Sequence, residues 1–308
     1  MRGLVTKSTG SWYEVLADDG MAYSCRIKGK FRIKGIKTTN PIAVGDWVDI
    51  SVEADTVPPT AIIVKLHERR NYIIRKSINL SKQAQIIAAN LDGAFLVVTL
   101  ASPFTSLGFI DRFLVTAEAY DIPATLVFNK LDLFSASGLT VLQEYKSIYE
   151  PLGYPCVEIS ALEGTNIEEL SIRLRDQTTL LLGHSGVGKS TLINRLCPTA
   201  KVRTGEVSEW SDKGRHTTTF AEMILLPGGG RLIDTPGIRE LGIVDIEPHE
   251  LGHFFPEMRN RMNSCRFNNC RHINEPGCAV LDGLDCGEIA PSRYDSYQSI
   301  YHGHDTRL

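Results

Sequence analysis

The feature that most constrains the fold is an eight-residue phosphate-loop motif in the middle of the 308-residue chain. It follows the apolar run Thr178–Leu182 and precedes a helical pattern over Thr191–Leu196. A strand, a glycine-rich loop and a helix in this order gather backbone N–H groups and a helix amino terminus around phosphate oxygens. The motif consists of Gly183, His184, Ser185, Gly186, Val187, Gly188, Lys189 and Ser190. We expect these residues and Thr191 to bind phosphates, with Lys189 on the β- and γ-phosphates and the Ser190 hydroxyl on Mg²⁺.

A second motif, Asn129-Lys130-Leu131-Asp132, directly follows the apolar run Ala124–Phe128. Ligands bind at the carboxyl ends of parallel strands, so this motif is expected at the same edge of the sheet as the phosphate loop. The Asp132 carboxylate can accept hydrogen bonds from N1 and the exocyclic amine of guanine, which adenine does not offer. Asn129 and Lys130 would brace the base and the phosphate loop. The motif therefore favours a guanine nucleotide over an adenine nucleotide.

Two further segments fit the same site. Ser160-Ala161 follows a strand-like run and fits a loop whose backbone contacts the guanine O6. Asp234-Thr235-Pro236-Gly237 ends another strand; Asp234 would hold Mg²⁺ through water, and the Gly237 N–H would sense the γ-phosphate. The polar stretch between the phosphate loop and Asp234 is typical of a switch loop, in which a threonine hydroxyl ligates Mg²⁺. The candidates are Thr217, Thr218 and Thr219, of which we favour Thr218.

The order of these motifs differs from that of an ordinary small GTPase, in which the phosphate loop comes first. Here Asn129 and Ser160 precede it, so the same sheet requires a circularly permuted chain. The residue after Gly237, where many GTPases carry a water-orienting glutamine, is Ile238, and an aliphatic side chain cannot position water. We expect His216 to take this catalytic role. A plain surface histidine and a residue supplied by a partner stay open as alternatives.

A cluster of cysteines and one histidine lies near the carboxyl terminus, with the spacing Cys265-x4-Cys270-x-His272-x5-Cys278. Three thiolates and one imidazole match tetrahedral zinc, and four protein ligands make such a site structural. Disulfide pairing is the weaker alternative because it leaves His272 unexplained. The other thiols are expected to be buried outside the site: Cys25, Cys156, Cys197 and Cys286.

Positive charge is concentrated near the amino terminus. Residues 1–76 carry thirteen Lys/Arg against eight Asp/Glu, a balance of +5, although the whole chain carries −3. Cations alternate with other residues in one segment, so an extended chain would place them on one face. They are Arg26, Lys28, Lys30, Arg32 and Lys34. This face is a candidate for binding a polyanion, and an ordinary solvated basic face is an equal alternative.

The apolar pattern predicts an α/β protein in three parts. Residues 1–72 contain short strand-like runs separated by turn residues, which indicates a small barrel. Residues 73–245 alternate strands with helices at Ile110–Tyr120, Leu139–Tyr149 and Thr165–Leu174, which indicates a mainly parallel sheet. A capping box, Thr165-x-x-Glu168, is expected to begin the last of these helices, and residues 221–234 to form a hairpin at the sheet's edge. Residues 246–308 are helical and then cysteine-rich.

Neither a leader nor a membrane span is evident in the sequence. The first ten residues are polar, and no run approaches the roughly 18–20 apolar residues that cross a bilayer. We therefore expect a cytoplasmic protein without a membrane partner.

Taken together, these motifs resemble the ribosome small subunit-dependent GTPases, the RsgA family, over nearly the whole chain. The resemblance extends to Val44-Gly-Asp-Trp-Val48 and Gly214-Arg-His-Thr-Thr-Thr219. It implies an amino-terminal OB-fold that binds RNA, a central circularly permuted GTPase domain and a zinc-binding carboxyl-terminal domain. It also implies a GTP hydrolase, expected as a monomer, that binds the immature 30S subunit and its 16S rRNA in the GTP state. In the family the subunit stimulates hydrolysis to GDP, and the histidine matching His216 positions water.

Three interpretations of this activity remain open. In the first, docking on rRNA orders the switch loops and completes the catalytic site. In the second, the protein is a GTP-gated binding module in which turnover only resets affinity, so that Ile238 is tolerated. In the third and weakest, the GTPase acts on tRNA or translation, since OB barrels bind many RNAs.

Overall fold

Five short strands near the amino terminus close into a barrel. The computed structural model describes residues 1–27, 41–53, 59–76, 84–202, 221–235 and 246–303. The barrel strands are β1 (Arg2–Ser8), β2 (Tyr13–Ala17), β3 (Ala22–Ile27), β4 (Trp47–Glu53) and β5 (Thr60–Leu66). Their order is β1-β2-β3-β5-β4, and antiparallel pairing of β1 with β4 closes the barrel. Alternate side chains such as Val15 and Ile63 are fully buried inside it. The predicted OB-type barrel is confirmed.

A mainly parallel sheet forms the centre of the molecule. Its strands are β8 (Gly93–Val98), β9 (Ala124–Phe128), β10 (Cys156–Glu158), β11 (Thr178–Leu182), β12 (Glu222–Leu225) and β13 (Arg231–Asp234). They lie in the order β10-β9-β8-β11-β13-β12, with β12 antiparallel to β13. The phosphate-loop strand β11 lies centrally, and the strand with the Asn129 motif lies two positions away. A parallel sheet with helices between its strands confirms the predicted α/β class.

Helices cover both faces of this sheet. They are α1 (Leu107–Ala119), α2 (Ala136–Tyr149), α3 (Ile167–Leu174) and α4 (Lys189–Leu196). One apolar cluster joins the sheet to α1 and α2, and a second joins its other face to α3 and α4. Ser106 and Ser135 cap α1 and α2 by accepting backbone N–H bonds.

The predicted capping box was wrong. Helix α3 begins at Ile167, and its cap residue Asn166 is left-handed and makes no side-chain capping bond. The reason lies in the preceding loop, where the Thr165 carbonyl accepts a hydrogen bond from the Ser160 N–H. Thr165 is therefore part of the loop that carries Ser160 and Ala161, and it cannot also start the helix.

The hairpin of β12 and β13 forms as predicted, but β12 is not at an edge. It pairs with β1 of the barrel, with Lys7 opposite Glu222, so eleven strands of the described chain form one continuous sheet. A salt bridge of 3.1 Å between Lys7 and Glu222 accompanies the pairing. Strand β1 lies within the first ten residues, whose polar character gave no strand signal.

A separate hairpin links the barrel to the central sheet. Its strands are β6 (Tyr72–Lys76) and β7 (Ala84–Ala89), which the sequence did not predict. Gly45 of the barrel, at φ +92°, lies directly against the Ala89 carbonyl, and the Ala89 N–H donates to the Val44 carbonyl at 2.9 Å. The barrel and the sheet are thus in close backbone contact.

The carboxyl-terminal residues form a small helical module against α1. Its helices are α5 (Pro256–Met262), α6 (Ala279–Asp285) and α7 (Pro291–Tyr301), preceded by a 3₁₀ turn at Leu251–Phe254. Its apolar core includes Phe255, Met258 and Tyr297, and it also contains Val115 from α1. Within the described ranges, the helices are all too short or too polar to cross a membrane.

Candidate nucleotide site and metal centre

The phosphate loop connects β11 to α4 in the predicted strand–loop–helix order. The Lys189 ammonium points back over the loop and donates to the carbonyls of Gly183 at 2.5 Å and His184 at 2.8 Å. Gly188 has φ +97°, and a side chain there would collide with the Asn129 amide. The loop therefore needs glycine at this position both for its backbone conformation and for its contact with the second motif.

Asn129 joins the phosphate loop to the Ser160–Ala161 loop. Its side-chain N–H donates to the Val187 carbonyl at 2.8 Å, and its side-chain oxygen accepts from the Ala161 N–H at 2.9 Å. The residue is 1% exposed. Three segments that are far apart in sequence are brought together by this one amide.

Asp132 and Lys130 lie at the open side of the same edge. Asp132 is exposed, and the Ser160 hydroxyl donates a hydrogen bond to one of its oxygens. Lys130 adopts a left-handed backbone, and its ammonium donates to the Ser102 carbonyl at 2.5 Å. A carboxylate and a lysine stem next to a backbone loop form a surface on which a guanine base can be recognised.

Burial shapes the charges at the phosphate end of the site. Burial lowers the pKa of Lys189, although nearby Asp234 partly opposes this shift. Burial also raises the pKa of Asp234, against the effect of Lys189. Neighbouring His184 is likewise shifted: burial first, then the charge of Lys189, lowers its pKa and favours a neutral ring. A ligand of opposite charge would stabilise the charged form of Lys189 and that of Asp234.

Two buried oxygens at the end of β13 indicate that a ligand binds there. Oδ1 of Asp234 and Oγ1 of Thr235 are buried and have no hydrogen-bond partner among the described residues. Buried polar atoms are rarely left in this state unless a ligand or water satisfies them. A hydrated divalent cation beside nucleotide phosphates would do so, and the donor set suits Mg²⁺. Thr235 had no role in the sequence prediction, and its position directly after Asp234 was the only available signal.

Several predicted site residues cannot be placed. The catalytic candidate His216, the threonines at 217–219, Gly237 and Ile238 lie outside the described residues. The same holds for four of the five alternating cations, at 28, 30, 32 and 34. The fifth, Arg26, forms a 3.0 Å salt bridge with Glu53. Ser190 and Thr191 lie in the first turn of α4, directly after Lys189.

The predicted metal ligands come together in the carboxyl-terminal module. The ligand atoms of Cys265, Cys270, His272 and Cys278 all lie within 4.8 Å of one another. His272 Nδ1 is 3.6 Å from Cys265 Sγ and 3.4 Å from Cys278 Sγ, and the two sulfurs are 3.9 Å apart. Tetrahedral zinc with bonds of ~2.3 Å to sulfur and ~2.0 Å to nitrogen requires spacings of about 3.5–3.8 Å. The cluster can therefore hold a metal ion of this type.

The rest of the module supports the cluster. The Tyr294 hydroxyl donates to the His272 carbonyl at 2.8 Å, and the Tyr297 hydroxyl donates to the Arg271 carbonyl at 2.7 Å. Both tyrosines belong to α7, so this helix fixes the ligand loop. The other thiols differ in burial. Cys25 and Cys197 are buried as predicted and Cys156 is half-buried, but Cys286 is exposed at the end of α6. The prediction for Cys286 was wrong because α6 presents its last turn to solvent.

Two contacts near the site had no sequence signal. The ring of Phe109 packs on that of His184 with centroids 3.7 Å apart. Arg195 of α4 donates to the carbonyls of Ala161 and Leu162 and so supports the Ser160–Ala161 loop from behind. Both residues are unremarkable in sequence, an apolar position in a helix and a charged position on a helix surface.

Comparisons with known proteins cover nearly the whole chain. A family model described as RsgA GTPase matches residues 66–244, and one described as RsgA N-terminal domain matches residues 2–57. A relative from Christiangramia forsetii, named Small ribosomal subunit biogenesis GTPase RsgA, is 52% identical over 99% of this chain and 97% of its own. A relative from Bacteroides thetaiotaomicron, named Small ribosomal subunit biogenesis GTPase RsgA 2, is 52% identical over 97% of this chain and 96% of its own.

Two solved structures share the fold. The crystal structure of YjeQ from Thermotoga maritima has a TM-score of 0.78 and 34% identity, covering 98% of this chain and 97% of that one. The structure of YloQ, described as a circularly permuted GTPase, has a TM-score of 0.74 and 32% identity, covering all of this chain and 96% of that one. The permuted motif order thus matches a known architecture.

Proposed function

Because the chain belongs to the RsgA GTPase family, we propose that it binds the small ribosomal subunit, assists its late maturation and hydrolyses GTP faster when the subunit is bound. The family makes it a GTP hydrolase. The further steps, namely 30S binding, contact with 16S rRNA, stimulation by the subunit and action as a cytoplasmic monomer, are our proposal.

The observation that carries the nucleotide assignment is the Asn129 bridge. Its bonds to Val187 and Ala161 assemble the permuted motifs into one site, with Asp132 on the base side and Lys189 on the phosphate side. Asp132 would accept hydrogen bonds from guanine, Lys130 would cover the base, and the Ala161 backbone would contact O6. We assign the phosphates to residues 183–191.

Lys189 would change partners when nucleotide binds. In the structure its ammonium donates to two loop carbonyls. Phosphate oxygens are stronger acceptors than carbonyls because they are charged. GTP would therefore draw the ammonium away from Gly183 and His184 and onto the β- and γ-phosphates, where it stabilises the charge that develops during phosphoryl transfer.

Ser190, Thr218 and Asp234 would hold Mg²⁺, and Gly237 would contact the γ-phosphate. When bound with GTP, Mg²⁺ neutralises charge between the β- and γ-phosphates. The buried, unpaired oxygen of Asp234 supports this assignment. His216 remains our candidate for positioning the attacking water, since Ile238 cannot.

The amino-terminal barrel would contact rRNA. Its support is the +5 charge of residues 1–76 and the barrel architecture, which commonly binds RNA. Because Arg26 is paired with Glu53, rRNA contact would rely on the other cations of this segment.

GTP turnover with and without purified small subunits tests the proposal. We expect low turnover alone and a rise with subunits, and no turnover in Lys189→Ala. The control is Lys201→Ala, which removes an exposed lysine and leaves the phosphate loop intact. If subunits bind but turnover does not rise, the protein is a GTP-gated binding module. Sedimentation with 70S particles but not with free 30S subunits would instead favour action in translation.

A further inference from the structure

Helix α1 lies between the phosphate loop and the carboxyl-terminal module and contacts both. Its residues Phe109, Phe113 and Leu114 belong to the core of the central sheet. A second stripe, Asp111, Val115 and Glu118, follows the i, i+4, i+7 spacing of one helix face and contacts the module. A helix with both faces buried cannot shift against one side without disturbing the other.

The contact with the module is a buried ionic network. Arg293 of α7 is 0% exposed and donates to Asp111 at 2.8 Å and to both oxygens of Glu257, at 2.7 and 3.2 Å. The Tyr149 hydroxyl donates to the same Asp111 oxygen at 2.8 Å. Although burial alone would lower the pKa of Arg293, the two carboxylates raise it, so the guanidinium stays charged. Breaking one of these ion pairs would leave an uncompensated buried charge, which is costly. The network therefore resists movement of α1 relative to the module.

The contact with the nucleotide site is Phe109, two residues before Asp111. Its ring packs on His184, the second residue of the phosphate loop, with centroids 3.7 Å apart. The carbonyl of His184 is one of the two that hold Lys189. Phe109 therefore contacts the residue whose carbonyl Lys189 would release when phosphates bind.

On the far side, α7 connects the network to the metal cluster. Arg293 is adjacent to Tyr294, whose hydroxyl bonds to the carbonyl of the ligand His272. Direct contacts thus lead from the metal cluster through α7 and α1 to the phosphate loop.

We propose that the carboxyl-terminal module positions the phosphate loop through α1, with Arg293 and Phe109 as positioning residues at its two faces. The inference rests on the proposed role of residues 183–191 as the nucleotide site. Linkage requires reciprocity: if the module sets nucleotide affinity, nucleotide binding stabilises the docked module to the same extent.

Affinity for a fluorescent GDP analogue, measured on the full chain with Mg²⁺, tests the first contact. We expect Phe109→Leu to weaken binding about fivefold or more, the lower end of coupling between sites. The matched control is Phe113→Leu, the same change one turn along α1 at a fully buried position. We expect the two variants to lose comparable thermal stability, and the affinity of Phe113→Leu for the GDP analogue to stay within about twofold of the parent's. Equal affinities in the two variants would overturn the proposal.

The module contact is tested by Asp111→Asn, which keeps the shape and removes the charge. We expect weaker GDP binding here too, whereas Glu169→Gln, which removes an exposed ion pair with Arg173 within α3, outside α1 and the module, leaves affinity unchanged. If Asp111→Asn does not fold, Val115→Ala probes the same face with the same expected direction. In the double variant Phe109→Leu/Asp111→Asn, affinity should fall no further than in Phe109→Leu alone, because both changes act through one path.

The two hypotheses fail separately. Absence of GDP binding by the parent chain would remove the proposed function. Normal binding by the parent together with unchanged affinity in Phe109→Leu and Asp111→Asn, or additive losses in the double variant, would remove only the role of α1.

Discussion

At the scale of single residues, Asn129 organises the proposed nucleotide site. Its amide satisfies a carbonyl on one loop and an N–H on another, and both partners are otherwise buried backbone groups. A side chain in such a bridge contributes to stability and fixes the separation of the two loops, on which nucleotide affinity would depend.

Replacing Asn129 with Ala should therefore weaken both folding and binding. Each unsatisfied backbone group costs about 1–3 kcal/mol, and we expect GDP affinity to fall about tenfold. Asn194 makes the same kind of two-way bridge, to the N–H and carbonyl of Val202, away from the base. Asn194→Ala should lose similar stability in a denaturant titration and keep its GDP affinity. A parallel loss of affinity in both variants would show that the bridge at Asn129 has no special role.

Asp132→Asn should change which base is bound. The amide can no longer accept two hydrogen bonds from guanine, and it offers a donor to the O2 of xanthine. We expect GTP affinity to fall by about one to two orders of magnitude, at roughly 1.5–3 kcal/mol per charge-assisted bond, and XTP affinity to rise. Asp121→Asn, at an exposed left-handed position, is the control. Retained guanine preference in competition binding would argue against the assignment.

Residues whose chemistry demands a fixed type at a fixed spacing were predictable. Lys189, Asn129 and the four predicted metal ligands are of this kind. The structure places Asn129 against the phosphate loop and gathers the predicted metal ligands into one cluster elsewhere in the molecule. Phe109 and Arg293 were not predictable, because contacts between distant segments leave no local pattern. The Phe109–His184 pair, for example, joins residues 75 positions apart (184 − 109).

At the scale of elements, the metal loop is held by a carboxylate as well as by tyrosines. Glu275 accepts backbone N–H bonds from Arg271, Ile273 and Asn274. Burial raises its pKa, but these bonds outweigh burial and lower the pKa from 4.5 to about 2. The ionised carboxylate therefore acts as a cap for the turn that presents His272.

This shift predicts how stability depends on pH. A folded-state pKa below the unfolded value means that the contribution of Glu275 is complete above about pH 4.5 and is lost between about pH 4.5 and 2. Glu275→Gln should lower unfolding free energy at pH 7, and its difference from the parent should shrink through that window. The exposed Glu144→Gln should show no such convergence. Constant differences across the window would contradict the capping role; comparing each variant with the parent cancels acid release of the metal.

Metal removal should loosen the whole carboxyl-terminal module. The predicted ligand loop between α5 and α6 has little regular structure, so its conformation would depend on a bound ion. A strong chelator should lower the melting temperature and increase amide exchange over residues 265–278. Cys278→Ser should reproduce this, whereas Cys286→Ser, an exposed thiol outside the cluster, should not. A chelator-indifferent melting curve would rule out a structural metal.

Element types were predicted better than their beginnings. The strands β9 and β11 match the apolar runs residue for residue, because a fully buried strand is marked by continuous apolar residues. Helix α3 begins two residues later than predicted, because the Ser160–Thr165 pairing takes the proposed cap into the loop. The strand β1 has the polar residues Thr6 and Lys7 near its end, which concealed it.

At the scale of the whole molecule, the barrel and the central sheet are joined where Gly45 meets Ala89. Gly45→Ala should destabilise the protein in two ways, through the left-handed backbone and through collision with the Ala89 carbonyl. Gly20→Ala has a similar positive φ but open space around it, so it reports the backbone cost alone, about 1–2 kcal/mol. We expect the Gly45 variant to lose about 1–3 kcal/mol more in denaturant unfolding. Equal losses of unfolding free energy in the two variants would mean that the junction accommodates the added methyl group without cost.

The pairing of β1 with β12 also bears on how the chain avoids unwanted association. Unpaired strand edges are templates on which other chains can add, and open sheets normally protect them with charge, proline or short length. In the described part of the chain, the continuous sheet closes on itself at the barrel end and terminates at β10 at the other. β10 is three residues long. Along that sheet, the protein thus offers other chains an edge too short for them to extend.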